Sequence, residues 1–446
     1  METNASRYIV LAFLIAIFVG LFGCQTHQVF RKQVTPCQVT TPVTKDDPCK
    51  EHSIETYVEK STRPDVPYSV FFVEFDDQGI AWEPAQMEIL LSDLKAKGDD
   101  KNSKGTVVMV FVHGWKHNAK FCDPNVACFR EMVRTAALSD PLNREVVGVY
   151  VGWHGRSLNE ASDLSFFARK RVAERVAQGQ IRELFSRLLT LQANAIRESN
   201  DIHRMRLMFM GHSFGGLITY EALSPYLLDD AFRRKDNKEK PKRFADLVLL
   251  INPAFEATHY YPLHLASTTT PPENQGNVPC PVFVSITSDN DDATKKWFPA
   301  GRRLNTIFEN FKDADEHEMA MHTIGHWDKF KTHSLKAITK SPDAQPVAVT
   351  GRGTCSCQAW RLNGDAAINN SESFFSVAQA NGRDRKYRNT ILTPLTQNVP
   401  TAHWVVQTKP PVIDGHNDFF TEQVKDFILL LYNDIVVGER NGTCQR

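Results

Sequence analysis

The chain has 446 residues, and its hydrophobic content of 42% is enough for one large domain with insertions or for two domains. Its 52 basic residues balance 52 acidic residues, so the net charge is near zero. This balance argues against a broad nucleic-acid-binding surface, because binding to phosphates needs a clustered excess of Lys and Arg.

The N-terminus carries the pattern of an export signal. Arg7 precedes an unbroken apolar run from Tyr8 to Gly23, which is shorter than the roughly 20 residues of a membrane-spanning helix. A charged start, a short apolar core and small residues at the end are typical of a secretory signal. The final Leu-Phe-Gly-Cys resembles the bacterial lipobox, which implies that residues 1–24 are a signal and that Cys24 is lipidated. An uncleaved N-terminal anchor and ordinary secretion are the alternatives.

Cysteine usage agrees with export. Eight of the nine cysteines follow Cys24, as expected for disulfides in an oxidising compartment. Cys355 and Cys357 are too close in sequence to prefer each other. Local closure favours two pairs, Cys37 with Cys49 and Cys122 with Cys128. We therefore expect a protein of the bacterial cell envelope, membrane-anchored through a lipid or an apolar helix and facing the periplasm or the exterior.

The rest of the chain divides by composition. Residues 25–66 are rich in Thr, Pro and polar side chains, and they are predicted to form a tether. Residues 67–437 alternate apolar runs with helical patterns, which predicts an α/β domain with a doubly wound, mostly parallel sheet and helices on both faces. The alternation fails from about 296 to 400, and this stretch is interpreted as an insertion, with a lid or a substrate-facing cap as its candidate roles.

The predicted elements follow in chain order. Strands are predicted at 68–75, 105–115, 145–153, 206–210, 245–252, 280–287 and 402–408. Helices are predicted around 86–96, 126–137, 181–196 and 421–437.

One motif carries the chemistry. The sequence Gly-His-Ser-Phe-Gly-Gly, residues 211–216, follows a predicted strand and opens a helical pattern. In this context Ser213 stands on a sharp strand-to-helix turn, and the glycines on either side permit unusual backbone angles. The alternative is that Ser213 is only a small residue in a tight turn. The strand before the motif and the helix after it favour a nucleophile, and here the chain resembles the serine esterase and lipase branch of the α/β-hydrolase fold.

The resemblance implies an oxyanion hole. His113-Gly114-Trp115 ends an apolar run and is similar to the family's H-G-x loop. The two donors would be the backbone N–H groups of Trp115 and Phe214. His113 is then expected to orient the loop, because the family's chain order places the catalytic base last. The supporting residues of the strand-to-helix turn and of the loop are Gly211, Gly215, His113 and Gly114.

The same chain order points to the catalytic base. His416 lies in a polar turn between the last predicted strand and the final helix. It is therefore the candidate base for Ser213. A zinc site at His322 and His326 is not favoured, because no Glu follows the first His as in H-E-x-x-H. The rival histidines all lie in the predicted insertion: His317, His322, His326 and His333.

The acid of the triad is less sharply defined. The family often shows a small residue followed three positions later by the acid, and Ser288-x-x-Asp291 fits this pattern after the strand at 280–287. Asp289 is the second candidate, and Asp292 is expected to cap a turn. Glu256, on the loop of the preceding strand, is a third candidate.

Taken together, these features predict a serine hydrolase that cleaves carboxylic esters through an acyl-serine intermediate. No metal or organic cofactor is expected, and the partner is a small-molecule ester or a lipid. The alternative is a catalytically inactive envelope protein that uses the same fold for binding. A candidate for every triad position favours the enzyme.

Overall fold

The computed structural model describes residues 28–59, 66–140, 142–155, 165–236, 244–268, 278–338, 355, 357, 379–380, 384–395, 402–441 and 444–445. These residues form a large, mostly parallel sheet with helices on both faces, so the predicted α/β class is confirmed.

The strands are β1 (Gln33–Gln38), β2 (His52–Glu59), β3 (Val66–Glu74), β4 (Thr106–Val112), β5 (Glu145–Gly152), β6 (Met205–His212), β7 (Leu247–Ile251), β8 (Val278–Pro279), β9 (Phe283–Ser288), β10 (His333–Ala337), β11 (Gln379–Ala380), β12 (Asp384–Tyr387), β13 (Thr390–Pro394), β14 (His403–Thr408) and β15 (Cys444–Gln445). The helices are α1 (Pro84–Asp99), α2 (Pro124–Ser139), α3 (Ser165–Gln178), α4 (Ile181–Ser199), α5 (Phe214–Asp236), α6 (Ala257–Thr268), α7 (Phe298–Asn305), α8 (Ala314–Met321) and α9 (Glu422–Asn441). Short 3-10 turns cover Pro48–Glu51, Ile324–His326 and Asp328–Phe330, and a π-helical turn covers Ala293–Trp297.

The main sheet has the strand order β1-β2-β3-β5-β4-β6-β7-β9-β14-β10-β13-β12-β11. The neighbours from β3 to β14 all pair in parallel, and β2 pairs with β3 in the antiparallel sense. Parallel strands bring their carboxyl ends to one edge of the sheet, which is where ligands bind in open α/β sheets. The loops after β4, β6, β9 and β14 therefore meet at the same edge.

Strand β4 illustrates why the central strands are unbroken apolar runs in the sequence. All of its residues are buried. Val108, Val110 and Val112 pack in one hydrophobic cluster with α1, α3, α4, α5 and α6. The alternating residues Val107 and Met109 pack in a second cluster with α2 and α9. Because side chains of a strand alternate between faces, a strand covered on both sides must be apolar at every position.

The predicted tether over residues 25–66 is wrong for the described part of that segment. Residues 33–59 contain β1 and β2, which pair with each other and, through β2, with β3. The carboxylate of Glu55 on β2 is buried between Arg31 and Arg130, with nitrogen–oxygen distances of 2.9 and 2.5 Å. These polar strands are held by the pairing of β1 with β2 and of β2 with β3, and by the ion pairs of Glu55. They lack the apolar run that marks the other strands.

Part of the predicted insertion, residues 296–400, belongs to the sheet. β10 pairs in parallel with β14, and β13 pairs with β10 in the antiparallel sense. α7 and α8 precede these strands. Much of the stretch from 339 to 400 lies outside the described residues, and a role as a lid or cap stays a prediction.

For three disulfides the structure describes the side chains of both cysteines. Cys37 bonds to Cys49 as predicted. The other two disulfides are Cys122–Cys355 and Cys128–Cys357. The predicted pair of Cys122 with Cys128 is therefore wrong, because helix α2 starts between them and both sulfurs bond to the distant 355–357 segment. Cys280 is also disulfide-bonded. Disulfides are typical of proteins that fold outside the cytoplasm.

The predicted export signal, including Cys24, lies outside the described residues. Among the helices that the structure describes, none combines the length and the apolar character needed to cross a bilayer.

Candidate active site

Ser213 lies at a tight turn between β6, which ends at His212, and α5, which begins at Phe214. Its φ of +55° is in the left-handed region, which is uncommon for a residue other than glycine. A Cβ atom on Gly215 would lie 2.0 Å from the Val112 carbonyl oxygen, so this position has no room for a side chain. Strained backbone conformations of this kind cluster at functional sites. The local sequence therefore forces Ser213 out of the strand and onto the edge of the sheet.

His416 contacts the Ser213 hydroxyl. Its Nε2 lies 2.7 Å from Ser213 Oγ, and its Nδ1 lies 2.8 Å from Asp291 Oδ2. Because an ionised carboxylate only accepts hydrogen bonds, Nδ1 carries the proton and Nε2 is the acceptor for the hydroxyl. The His416 side chain is 11% exposed, whereas the Asp291 side chain is fully buried.

Asp291 is held by more than His416. Thr294 Oγ1 donates to Asp291 Oδ2 over 2.6 Å, and the Thr294 N–H donates to Oδ1 over 3.1 Å. Burial alone would raise the pKa of Asp291, but the charge of His416 and the hydrogen bonds from His416 and Thr294 outweigh it and lower the pKa from 3.8. Asp291 is therefore ionised at neutral pH.

The other acid candidates have different partners. Asp289 accepts from the Gln407 amide and forms an ion pair with Lys409 at 3.4 Å. Asp292 pairs with Lys296 at 2.8 Å.

Glu256 is buried in an ion cluster of its own. It lies 3.0 Å from Lys170 of α3 and 3.0 Å from Arg302 of α7. Burial would raise the pKa of Glu256, but these two cations, together with His259, lower it. Of the acids that the sequence offered, Asp291 is the one with a described hydrogen bond to His416.

The loop after β4 packs directly on Ser213. A Cβ atom on Gly114 would lie 2.8 Å from Ser213 Cβ and 2.8 Å from His212 Nδ1. The Phe166 ring of α3 contacts the rings of both Phe214 and Trp115, with centroid distances of 4.6 and 5.4 Å. The two residues predicted to supply oxyanion donors thus lie close to the Ser213 turn, and Phe214 opens the helix whose N-terminus favours negative charge.

His113 holds the loop after β4 in place through hydrogen bonds. Its Nδ1 lies 3.0 Å from the Gly114 carbonyl oxygen, and its Nε2 accepts a hydrogen bond from the Trp153 N–H over 3.1 Å. The Trp153 indole donates in return to the His113 carbonyl over 2.7 Å. Burial lowers the pKa of His113 to about 4, so the ring is neutral at neutral pH. His113 does not contact Ser213 Oγ through any described hydrogen bond.

Two residues hold the backbone of His416, and the sequence did not single them out for this role. Asn252 Nδ2 donates to the carbonyl oxygens of Gly415 and His416 over 3.1 and 2.9 Å. The Ser288 N–H donates to Asn252 Oδ1 over 3.0 Å, which orients the amide. His212 Nε2 lies 2.8 Å from the same His416 carbonyl. A signal for Asn252 was present, since an Asn-Pro pair at a strand end marks a turn, and its φ is +43°.

The rival histidines lie elsewhere. His322 contacts Glu318 at 3.2 Å, and His333 contacts Thr332 at 2.9 Å. His317 lies 3.5 Å from Glu318. His326 contacts Thr294, the partner of Asp291, at 3.0 Å. Within the described parts of the chain, no group of three or more His, Cys, Asp or Glu side chains could hold a metal ion.

Comparison with known proteins adds little to this geometry. No family model matches the chain, and no curated protein matches it in sequence. Among solved structures, phospholipase PlaB from Legionella pneumophila in complex with thio-NAD is 13% identical, with 52% of this chain and 46% of that chain covered and a TM-score of 0.23. A second structure of phospholipase PlaB from Legionella pneumophila is 14% identical, with 53% and 48% covered and a TM-score of 0.23. The chain thus spans about half the length of the structures it matches. The function of the site has to be inferred from its own chemistry.

Proposed function

We propose that this protein is a serine hydrolase of the α/β-hydrolase fold that cleaves carboxylic esters through an acyl-serine intermediate. The observation that carries the proposal is the unbroken chain of contacts from Ser213 Oγ through His416 to Asp291, at 2.7 and 2.8 Å. A nucleophile, a base within hydrogen-bond reach and a carboxylate that orients the base are the three parts of a serine-hydrolase triad.

The position of these residues in the fold supports the same proposal. Ser213 follows β6, Asp291 follows β9 and His416 follows β14, all at the carboxyl ends of parallel strands. The chain order Ser, Asp, His and the Gly-x-Ser-x-Gly turn resemble those of α/β-hydrolases.

In the proposed reaction, His416 Nε2 takes the proton from Ser213 as Oγ attacks the ester carbonyl carbon. The negative charge moves to the carbonyl oxygen, and the N–H groups of Phe214 and Trp115 stabilise it. His416 then passes its proton to the leaving alcohol as the ester C–O bond breaks, which leaves the acyl group on Ser213. A water molecule gives its proton to His416, attacks the acyl carbon and releases the acid, and the proton returns to Ser213 Oγ. The ionised Asp291 stabilises the imidazolium in both halves.

The proposed substrate is a small ester or a lipid. Aromatic side chains around the Ser213 turn, among them Trp115 and the buried Phe166, suit an apolar acyl group. The disulfides support a location outside the cytoplasm, and the proposal extends this to a membrane-anchored protein of the bacterial envelope, lipidated at Cys24.

Replacement of the nucleophile tests the proposal. The wild type is expected to hydrolyse p-nitrophenyl esters, and a series of acyl chain lengths would define the acyl preference. Ser213→Ala should lower kcat by at least about 10⁴-fold, because the acyl-enzyme no longer forms. Ser224→Ala is the matched control, since this serine lies further along the same helix and bonds only to the Glu221 carbonyl in the described structure. A folded wild type without turnover on any ester would favour a non-catalytic binding protein instead.

A further inference from the structure

The hydroxyl of Thr294 links the triad acid to a second histidine. Thr294 Oγ1 lies 2.6 Å from Asp291 Oδ2 and 3.0 Å from His326 Nε2. Thr294 is fully buried in the π-helical turn that follows Asp291, and His326 ends the 3-10 turn Ile324–His326. Two separate segments of the chain therefore meet behind Asp291, on a hydroxyl that does not contact Ser213 or His416 in any described hydrogen bond.

The available protons determine the direction of these two hydrogen bonds. The Thr294 hydroxyl has one proton, and the ionised Asp291 can only accept, so the hydroxyl proton points to Asp291. The short distance between Thr294 Oγ1 and His326 Nε2 then requires that Nε2 carries a proton and donates to the hydroxyl oxygen. A continuous chain runs from His326 through Thr294 and Asp291 to His416, with each donor facing an acceptor.

The surroundings of His326 keep its ring neutral. Burial is the main cause that lowers the pKa of His326, to about 4. Two carboxylates, Asp291 and Asp289, act in the opposite direction, and two ammonium groups, Lys331 and Lys295, act in the same direction as burial. At neutral pH the His326 ring is therefore neutral and donates a hydrogen bond. It carries no positive charge that would interact with the Asp291 carboxylate in place of His416.

We propose that Thr294 and His326 are positioning residues that aim the Asp291 carboxylate at His416 and moderate its charge. Asp291 Oδ2 receives both the Thr294 hydroxyl and the His416 Nδ1–H, so the hydroxyl fixes the rotation of the carboxylate that holds the base. The His326 donor polarises the hydroxyl and strengthens its bond to Asp291, as expected for cooperative hydrogen bonds in a buried site. Neither side chain has a described hydrogen bond to Ser213 or His416, and the inference rests on the proposed function.

Valine and serine at position 294 separate the hydroxyl from the shape of the side chain. Thr294→Val keeps the volume and removes the donor, whereas Thr294→Ser keeps the donor. Without the donor, Asp291 attracts the imidazolium more strongly, because a carboxylate with fewer hydrogen bonds retains more of its charge. The titration midpoint of the His416 ring is expected to move to higher pH by about 0.5 to 1 unit in Thr294→Val. Thr294→Ser should restore the wild-type midpoint.

A matched set of variants also tests the role of His326. His326→Leu should move the midpoint in the same direction by a smaller amount, and His326→Gln, whose amide can donate, should restore it. His322→Leu is the control, because the His322 ring contacts Glu318 and has no described bond to Thr294 or Asp291.

The measurement is a ring-nitrogen NMR titration of the full chain labelled at histidine, with the His416 signal assigned by comparison with His416→Gln. Two ionisable groups contact this ring, the Asp291 carboxylate at 2.8 Å and the neutral His212 ring at a centroid distance of 5.0 Å, and neither is changed in these variants. The acid limb of the kcat/KM profile against pH should move together with the NMR midpoint.

An unmoved or lowered midpoint in Thr294→Val, or an equal change in Thr294→Ser, would overturn the inference. Turnover with an unmoved midpoint would refute only the role of Thr294 and His326. A raised midpoint in a protein that hydrolyses no ester would support the hydrogen-bond chain and refute the proposed function.

Discussion

Two buried carboxylates, one on a strand of the main sheet and one just after a strand, differ in what they can do chemically. Glu55, on β2, accepts hydrogen bonds from Arg31, Arg130 and Tyr57. Asp291, after β9, accepts from His416 and Thr294. Both acids are buried, and both have a pKa below their ordinary value because the cost of burial is outweighed by charged partners and hydrogen bonds.

The difference lies in the partners. Arg31 and Arg130 are charged at neutral pH, so the cluster around Glu55 has no proton to transfer there. His416 can gain and lose a proton, and its second nitrogen lies 2.7 Å from a hydroxyl. The Arg31 and Glu55 side chains are fully buried, whereas the His416 side chain is partly exposed to solvent. Burial of a charge therefore marks a structural cluster as readily as an active site, and a titratable partner next to a nucleophile distinguishes the two.

Replacing each acid in turn separates the two roles, and the largest effect is expected at Asp291. Asp291→Asn should lower kcat by about 10³- to 10⁴-fold, because the amide no longer fixes the His416 tautomer or stabilises the imidazolium. Asp289→Asn is the matched control and should change kcat by less than about threefold, since its partners are Gln407 and Lys409 and a surface ion pair has little effect. Steady-state ester hydrolysis measures both. A larger loss in Asp289→Asn than in Asp291→Asn would mean that the acid has been misassigned.

Removing the other acid should affect stability instead of turnover. Glu55→Gln is expected to lower the free energy of unfolding by about 3 to 5 kcal/mol, because it leaves two buried arginines without their carboxylate. Urea unfolding at neutral pH measures the loss, and kcat/KM of the folded protein for ester hydrolysis should not change. Glu88→Gln, which breaks an exposed pair with Arg187, should leave the unfolding midpoint unchanged.

The Glu55→Gln variant also tests how the free energy of unfolding depends on pH. Burial would raise the pKa of Glu55, but Arg130 and Arg31 lower it below its ordinary value of 4.5. The stability that Glu55 contributes is therefore fully present above the unfolded pKa and is lost as the pH falls through the lower folded pKa. The difference in unfolding free energy between wild type and Glu55→Gln should stay constant near neutral pH and shrink below about pH 4.5. A difference that grows on acidification would contradict this account.

A smaller effect is expected at Asn252, whose replacement leaves the three residues of the proposed triad intact. Asn252→Asp keeps the shape but removes the two donors to the carbonyls of Gly415 and His416. We expect kcat to fall by about 10- to 100-fold, because a small displacement of the base costs about this much in rate. KM should change little, since Asn252 is fully buried. Asn290→Ala, in the exposed turn nearby, is the control, and an equal loss there would deny Asn252 a specific role.

The sequence predicted the part of the site that is encoded locally. Ser213 lies within six residues that contain the strand end, the glycines and the helix start, so the turn follows from the residues that form it. The choice between Asp289 and Asp291 was not local. The choice depends on residues that are distant in sequence, because Asp289 contacts Gln407 and Lys409 at the end of β14.

Long-range contacts account for the other differences between prediction and structure. β2 has few of the apolar residues that mark a strand, because its central carboxylate pairs with residues far away in the sequence, such as Arg130. The bonds from Cys122 and Cys128 to Cys355 and Cys357 span more than 200 residues, with separations of 233 and 229, so loop closure gave no guide to them. The contact between His326 and Thr294 likewise depends on how two segments pack behind the acid.

The proposed role of Ser213 as the activated nucleophile can be tested directly. A fluorophosphonate probe forms a covalent bond with an activated serine oxygen, and peptide mass spectrometry locates the bond. An adduct is expected on Ser213 in the full chain and none in His416→Gln, where the base is lost. A folded wild type that stays unlabelled, or an adduct on a different serine, would contradict it.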